Sequence, residues 1–222
     1  MKTRNYSKTI AQTINEFLTN DEWHYSFDEQ RGLFNFGLNI KGKIKNIRYI
    51  VDVKDDAYIV YAVAPIGVDE KDKRTMAEMA EFVCRANSGL KNGNFELDMD
   101  DGEIRFKCYV DCDGIVPSTE IVKSSIYCPA AMFDRYGDGV VGIIFSDMNA
   151  KEAVENCDKT IAAKLRAILS GFADSEEDDE FFGDPDGLTL DVSNDEEPMD
   201  TETSEESLCI KTNLFDTEGM DD

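Results

Sequence analysis

Cysteine thiols are the side chains in this sequence with the greatest capacity for chemistry, because a thiolate acts as a nucleophile or as a metal ligand. The chain has 222 residues and six cysteines, Cys84, Cys108, Cys112, Cys128, Cys157 and Cys209. They lie within helix or strand patterns and lack the spacing of a disulfide scaffold. Residues 1–20 contain no apolar run of the kind that a signal peptide or membrane anchor needs. The two observations predict reduced thiols and a cytoplasmic location.

A metal site would need several ligands close together, and Cys108 and Cys112 are the pair whose spacing invites that interpretation. On a strand, however, residues i and i+4 lie roughly 13 Å apart at about 3.3 Å per residue, too far to share one zinc ion. Packing is therefore the predicted role of both thiols. The single histidine, His24, follows Trp23 at a predicted strand start and has no identifiable partner for acid–base chemistry, so a structural role is predicted for it as well.

Motifs that hold phosphate groups or calcium are equally weak. The sequence G-x-x-x-x-G-K-[ST] does not occur, and the turn Gly137-Asp138-Gly139 is too short to count as a phosphate loop. Residues 184–187 lack the ligand spacing and the final glutamate of an EF-hand. We therefore predict no catalytic, cofactor-binding or metal-binding residue, and a protein that is not an enzyme. One alternative stays open, a small-ligand-binding protein or cysteine-dependent enzyme that uses Cys128 or Cys157 in a pocket between a sheet and the helices after Ser118.

The net charge of −24 is concentrated at one end of the chain. Residues 172–222 contain 20 acidic residues and one basic residue, which leaves a charge of only −5 for residues 1–171. The composition predicts one globular domain in residues 1–171 and an acidic, mostly disordered tail in residues 172–222. Such a tail repels phosphate backbones, and the body shows no basic patch in sequence, so nucleic-acid binding is not expected.

The acidic tail is interrupted by small groups of apolar residues, which are the candidate partner-docking residues of the sequence. Such groups allow disordered segments to dock on partners, including by adding a strand to the edge of a sheet. One hypothesis is that they cap an exposed sheet edge of the domain until a partner displaces them. The proposed docking residues are Phe181, Phe182, Leu188, Leu190, Leu214 and Phe215.

Hydrophobic periodicity predicts a helix, then four strands, a second helix, a hairpin and further helices. Helices at the edges of a largely antiparallel sheet of about five or six strands make this an α+β fold. The second helix should direct Met76, Met79, Ala80, Val83 and Cys84 toward a core, with Phe82 as a further candidate. The predicted first helix covers residues 5–20, and the predicted strands before the second helix cover residues 24–27, 34–40, 47–53 and 57–64.

The hairpin at residues 95–110 has a register that the sequence alone predicts. Apolar and polar residues alternate on both sides of Asp101-Gly102, a pair that favours a two-residue type I′ turn. This turn would place Met99 opposite Ile104, Leu97 opposite Phe106 and Phe95 opposite Cys108. All of these side chains would then face the core.

The helical region after Ser118 contains several residues that disfavour helix. Pro129 should kink or split the helix, and Gly137 and Gly139 should break the chain again. Residues 140–145 form a short apolar segment whose position between helices favours helix. The last helix should begin at Asn149, which with Glu152 fits a capping box, and should end near residue 170.

The segment AEFVCRANSGL at residues 80–90, followed by NFELDMDDGEIRF at residues 94–106, resembles the YbjN family of bacterial proteins. The likeness covers residues 1–170. It implies a fold similar to that of type III secretion chaperones, and a small, acidic, dimer-forming domain without catalytic residues. Members are often labelled sensory transduction regulators. We therefore expect a homodimer that binds another, unidentified polypeptide as a chaperone-like or regulatory adaptor, without cofactor, nucleic acid or membrane.

Overall fold

A computed structural model describes residues 4–173. Four helices and six strands follow the order that the sequence predicts, and the α+β fold class is confirmed. The elements are α1 (Lys8–Asn20), β1 (Tyr25–Asp28), β2 (Leu33–Asn39), β3 (Asn46–Val53), β4 (Ala57–Val63), α2 (Lys73–Asn87), β5 (Asn94–Leu97), β6 (Ile104–Asp111), α3 (Thr119–Ser146) and α4 (Ala150–Ala173).

The six strands form one antiparallel sheet in the order β1-β2-β3-β4-β6-β5. Strands β1 and β5, which have four residues each, are its edges. Side chains alternate between the two faces, and one face is buried beneath helices. Phe34, Val51, Val60 and Cys108, which follow one another across β2, β3, β4 and β6, are all 0% exposed on that face.

Helix α2 begins after Asp72, whose carboxylate accepts a hydrogen bond from the backbone N–H of Thr75. Its buried residues include Met76 and Met79, as predicted, the further candidate Phe82, and Ala86. The prediction for Cys84 is wrong, because this thiol is exposed. Helix α2 packs against both α4 and β5. The buried face of the helix is therefore wider than predicted and includes Phe82 and Ala86.

The β5–β6 hairpin keeps the predicted faces but not the predicted register. Phe95 pairs with Phe106 and Leu97 pairs with Ile104, so the register is shifted by two residues. The loop is longer than two residues, because the Gly102 N–H donates to the Asp98 carbonyl at 2.9 Å. A shift of two preserves the alternation of faces, but it moves Met99 out of the core, and this side chain is 56% exposed.

Helix α3 is continuous from Thr119 to Ser146, so the predicted breaks at Gly137 and Gly139 are wrong. With Gly142 these glycines have the spacing G-x-G-x-x-G, but that motif binds dinucleotides only in the turn between a strand and a helix. Here the glycines lie inside a helix and allow close packing. A Cβ atom on Gly139 would lie 2.6 Å from Cε2 of Phe82 on α2 and 3.1 Å from Sγ of Cys157 on α4.

Two buried tyrosines attach the first half of α3 to the sheet. The Tyr49 hydroxyl on β3 donates to the Ile126 carbonyl at 2.8 Å, near the point where Pro129 has no N–H to donate. The Tyr58 hydroxyl on β4 lies 3.0 Å from Oγ of Ser125. Burial raises the pKa of Tyr58 to about 12, against the opposing hydrogen bond with Ser125. Both hydroxyls therefore stay neutral and keep α3 in a fixed position on the strands.

Helix α4 begins where the sequence predicts. The side-chain oxygen of Asn149 accepts a hydrogen bond from the Glu152 N–H at 2.9 Å, which confirms the predicted cap. Ala153 and Cys157 are buried against the rest of the domain. Within residues 4–173, no helix is both long enough and apolar enough to cross a membrane.

Candidate functional site

The face of the sheet turned away from the helices, hereafter the open face, carries a strip of apolar side chains. Leu33, Ile50, Ile59 and Tyr61 are half-buried on strands β2, β3 and β4. Ile50 lies opposite Tyr61 in the β3–β4 pair, and Ile59 lies opposite Tyr109 in the β4–β6 pair. Aliphatic and aromatic side chains thus form an apolar strip at the centre of the sheet, interrupted by Asp52 opposite Leu33 and by Lys107 opposite Tyr61.

Charged side chains beside this strip neutralise one another. The Arg105 Nε donates to Oε2 of Glu96 at 2.7 Å, and the Lys107 Nζ lies 3.3 Å from the other oxygen of the same carboxylate. Burial alone would raise the pKa of Glu96, but the hydrogen bond from Arg105 and the charge of Lys107 hold it below its usual range. On the other side, the carboxylate of Asp52 lies 2.9 Å from Arg4 and 2.6 Å from Lys54.

The centre of the open face is a shallow hollow of about 440 Å³. The guanidinium of Arg105 lies over the ring of Tyr61, 5.1 Å from the ring centroid. Leu33, Ile50 and Val63 complete the apolar part of the hollow. Apolar contact area surrounded by charges of both signs is typical of a surface that binds protein. The carboxylates of Glu96 and Asp52 are engaged in ion pairs, whereas Asp28, which also lines the hollow, makes none within residues 4–173.

A pair of thiols forms a second feature with chemical potential. Cys108 on β6 is fully buried, and its thiol interacts with that of Cys128 on α3. This interaction lowers the pKa of Cys128 to about 7, against the opposing effect of burial, and raises the pKa of Cys108. Cys128 is only half-buried and also lies 3.7 Å from the Asn92 carbonyl oxygen. Its thiolate is therefore both accessible and substantially populated at neutral pH.

We predict that Cys128 is the most readily alkylated cysteine of the domain. Labelling with iodoacetamide, followed residue by residue with mass spectrometry, should give Cys128 an apparent pKa of about 7. Cys157 should stay unlabelled in the same range, because burial raises its pKa. In the Cys108→Ala variant the midpoint for Cys128 should move to higher pH, because the interaction with the Cys108 thiol is lost. An unchanged midpoint in that variant would show that Cys108 does not activate its neighbour.

The other residues considered from sequence are dispersed. Cys157 is 3% exposed and donates to the Tyr136 carbonyl at 3.9 Å, so it packs between α3 and α4. Cys112 is buried at the end of β6, and His24 is exposed just before β1. Within residues 4–173, no group of three or more histidine, cysteine, aspartate or glutamate residues is arranged to hold a metal ion.

The predicted docking residues of the tail lie outside the described residues, so their role stays a prediction. These are Phe181, Phe182, Leu188, Leu190, Leu214 and Phe215. Sequence analysis missed the open face, although Ile50, Ile59 and Tyr61 occupy outward positions in two clearly predicted strands. No sequence signal joins Cys108 to Cys128, since the packing of α3 on β6 brings them together.

Comparison with known proteins adds no relative. No family model matches the chain, and no curated protein matches it. The resemblance to the YbjN family therefore stays a prediction that rests on the helix and hairpin segments quoted above.

Proposed function

We propose that this protein is a cytoplasmic, non-catalytic domain that binds another polypeptide through the open face, as a chaperone-like or regulatory adaptor of the YbjN type. The observation that supports the proposal best is the apolar strip around Ile50 and Tyr61, which no helix among residues 4–173 covers. The five free thiols of the described domain are compatible with a reducing compartment. The partner that fits this face presents apolar side chains flanked by charges of both signs.

Site-specific photocrosslinking in the native host tests this proposal. A photoreactive phenylalanine derivative in place of Tyr61 should give a discrete crosslinked polypeptide, and the substitution Ile50→Asp in the same chain should abolish it. The matched control is the derivative at Tyr127, an aromatic residue that is 42% exposed on α3. If the product forms equally well from position 127, or survives Ile50→Asp, the open face is not the binding surface.

The resemblance also leads us to propose a homodimer. Light scattering should then give twice the chain mass of 25.0 kDa. A crosslinked product from position 61 with the mass of two chains would identify the second copy as the occupant of the open face. A monomer without any polypeptide crosslinked at position 61 would contradict both parts of the proposal.

A second candidate function is chemistry at a cysteine, and the Cys108–Cys128 pair favours it. A half-buried thiol with a pKa of about 7 is a feature shared with cysteine nucleophiles. A nucleophile of this kind normally needs a general base, and the group that lowers the pKa of Cys128 is instead a second thiol, that of Cys108. Loss of host function in Cys128→Ser, with crosslinking at position 61 unchanged, would favour this second candidate over polypeptide binding.

A further inference from the structure

A cleft of about 740 Å³ lies on the helical side of the domain, between the β2–β3 loop and helices α3 and α4. Its walls bring together five basic residues from three parts of the chain. These are Lys41, Lys43 and Lys45 in the loop and on its border with β3, Arg135 on α3, and Lys164 on α4. Residues 1–171 carry a net charge of −5, so this cluster of cations is opposite in sign to the net charge of the domain.

The loop is held in place by two carboxylates of α3. Oδ1 of Asp134 accepts a hydrogen bond from the Gly42 N–H at 3.1 Å, and Oδ1 of Asp138 accepts one from the Lys43 N–H at 3.2 Å. The three loop lysines are thereby fixed at the rim of the cleft. Asp134 and Asp138 are the two acidic residues of the cleft wall, and both hold the backbone of the loop.

The cations of the cleft are largely without partners. Within residues 4–173, Lys41, Lys43, Lys45 and Lys164 make no ion pair, whereas seven of the eleven ion pairs in that part of the chain engage an arginine. Arg135 pairs with Asp158 at 2.8 Å, but its Nε is buried and has no hydrogen-bond partner in the described chain. A buried donor of this kind destabilises the fold unless an acceptor forms a hydrogen bond with it.

Part of the cleft wall is apolar. Met148, Ala153 and Ile161 line the cleft together with the polar residues Asn156 and Thr160. The volume lies within the range of about 300–1,000 Å³ that is usual for small-molecule sites. We propose that this cleft binds an organic phosphate of nucleotide size, with its phosphates at the lysines and its apolar body against Met148 and Ile161. Lysine ammonium groups act here as point charges for phosphate oxygens.

Isothermal titration of the full chain with ATP, inorganic phosphate and citrate tests the proposal. ATP should bind, with inorganic phosphate competing weakly, and affinity should fall as ionic strength rises. The double variant Lys43→Gln/Lys164→Gln removes one cation from each side of the cleft and should weaken ATP binding about tenfold. The matched control, Lys91→Gln/Lys123→Gln, removes the same charge from exposed positions outside the cleft and should bind like the original protein.

Three results would overturn this proposal. The first is no heat of binding with ATP at low ionic strength. The second is an equal loss of affinity in the control variant, which would mean diffuse attraction to surface charge. The third is binding of citrate as tightly as ATP, which would mean that the site does not select phosphate. All the substituted lysines are exposed, so thermal melts should confirm that each variant is folded. None of these results bears on the open face, which contains none of these residues.

Discussion

Replacing Gly102 with alanine should lower the free energy of unfolding by about 3 kcal/mol, because two penalties act at this position. Gly102 has a φ of +74°, in the left-handed region that disfavours residues with a Cβ atom. A Cβ atom there would also collide with the carbonyl oxygen of Val68. The backbone has little room to retreat, because the Val68 N–H donates to the Gly102 carbonyl at 3.0 Å. Urea denaturation, followed by the fluorescence of Trp23, measures the loss.

Gly114 provides a control that separates the two penalties. It has a φ of +70°, almost the same as that of Gly102, but a Cβ atom on it would meet nothing within 4 Å. Gly114→Ala should therefore cost only the backbone penalty of about 1–2 kcal/mol. The difference between the two variants measures the contact between the hairpin loop and Val68. Equal losses in the two variants would show that the loop moves aside without cost.

The hairpin shows which structural features the sequence predicts and which it does not. Alternation of apolar and polar residues correctly predicts which side chains of β5 and β6 face the core, because the period of a strand is two residues. It does not predict the register, because the loop is determined by local hydrogen bonds. Asp98 accepts from the Asp100 N–H at 2.9 Å, and Asp101 accepts from the Glu103 N–H at 2.9 Å. Such aspartate turns compete with the type I′ turn that Asp101-Gly102 suggests.

The candidate sites depend more strongly on tertiary structure than the fold does. The outward positions of Ile50 and Tyr61 follow from strand alternation, so the open face is implicit in the sequence once the strands are placed. The basic cleft is not, because the loop lysines and Lys164 are more than a hundred residues apart. The sequence analysis found no basic patch for this reason. Contacts between residues distant in sequence require the packing of α3 and α4, which periodicity alone does not determine.

Gly139→Ala gives the sharpest contrast between local preference and packing. Helix propensity alone predicts that this change stabilises the protein by about 1 kcal/mol, because alanine is the better helix former. Packing predicts the opposite sign. The new Cβ atom would lie 2.6 Å from a ring carbon of Phe82, a side chain that is 1% exposed and in edge-to-face contact with Tyr136. Overpacking in a closed core costs about 1–3 kcal/mol, so we expect a net loss of up to about 2 kcal/mol.

Gly142, one turn further along the same helix, provides the matched control. A Cβ atom there would lie 3.1 Å from Sδ and Cε of Met148, the mobile end of a flexible side chain that can move aside. Gly142→Ala should therefore be neutral or stabilising by up to about 1 kcal/mol. Urea denaturation of both variants should thus give changes of opposite sign or clearly different size. If Gly139→Ala stabilises the protein as much as Gly142→Ala does, then α3 tolerates a wider separation from α2 and α4. In that case the glycine at position 139 is not required for the packing of these helices.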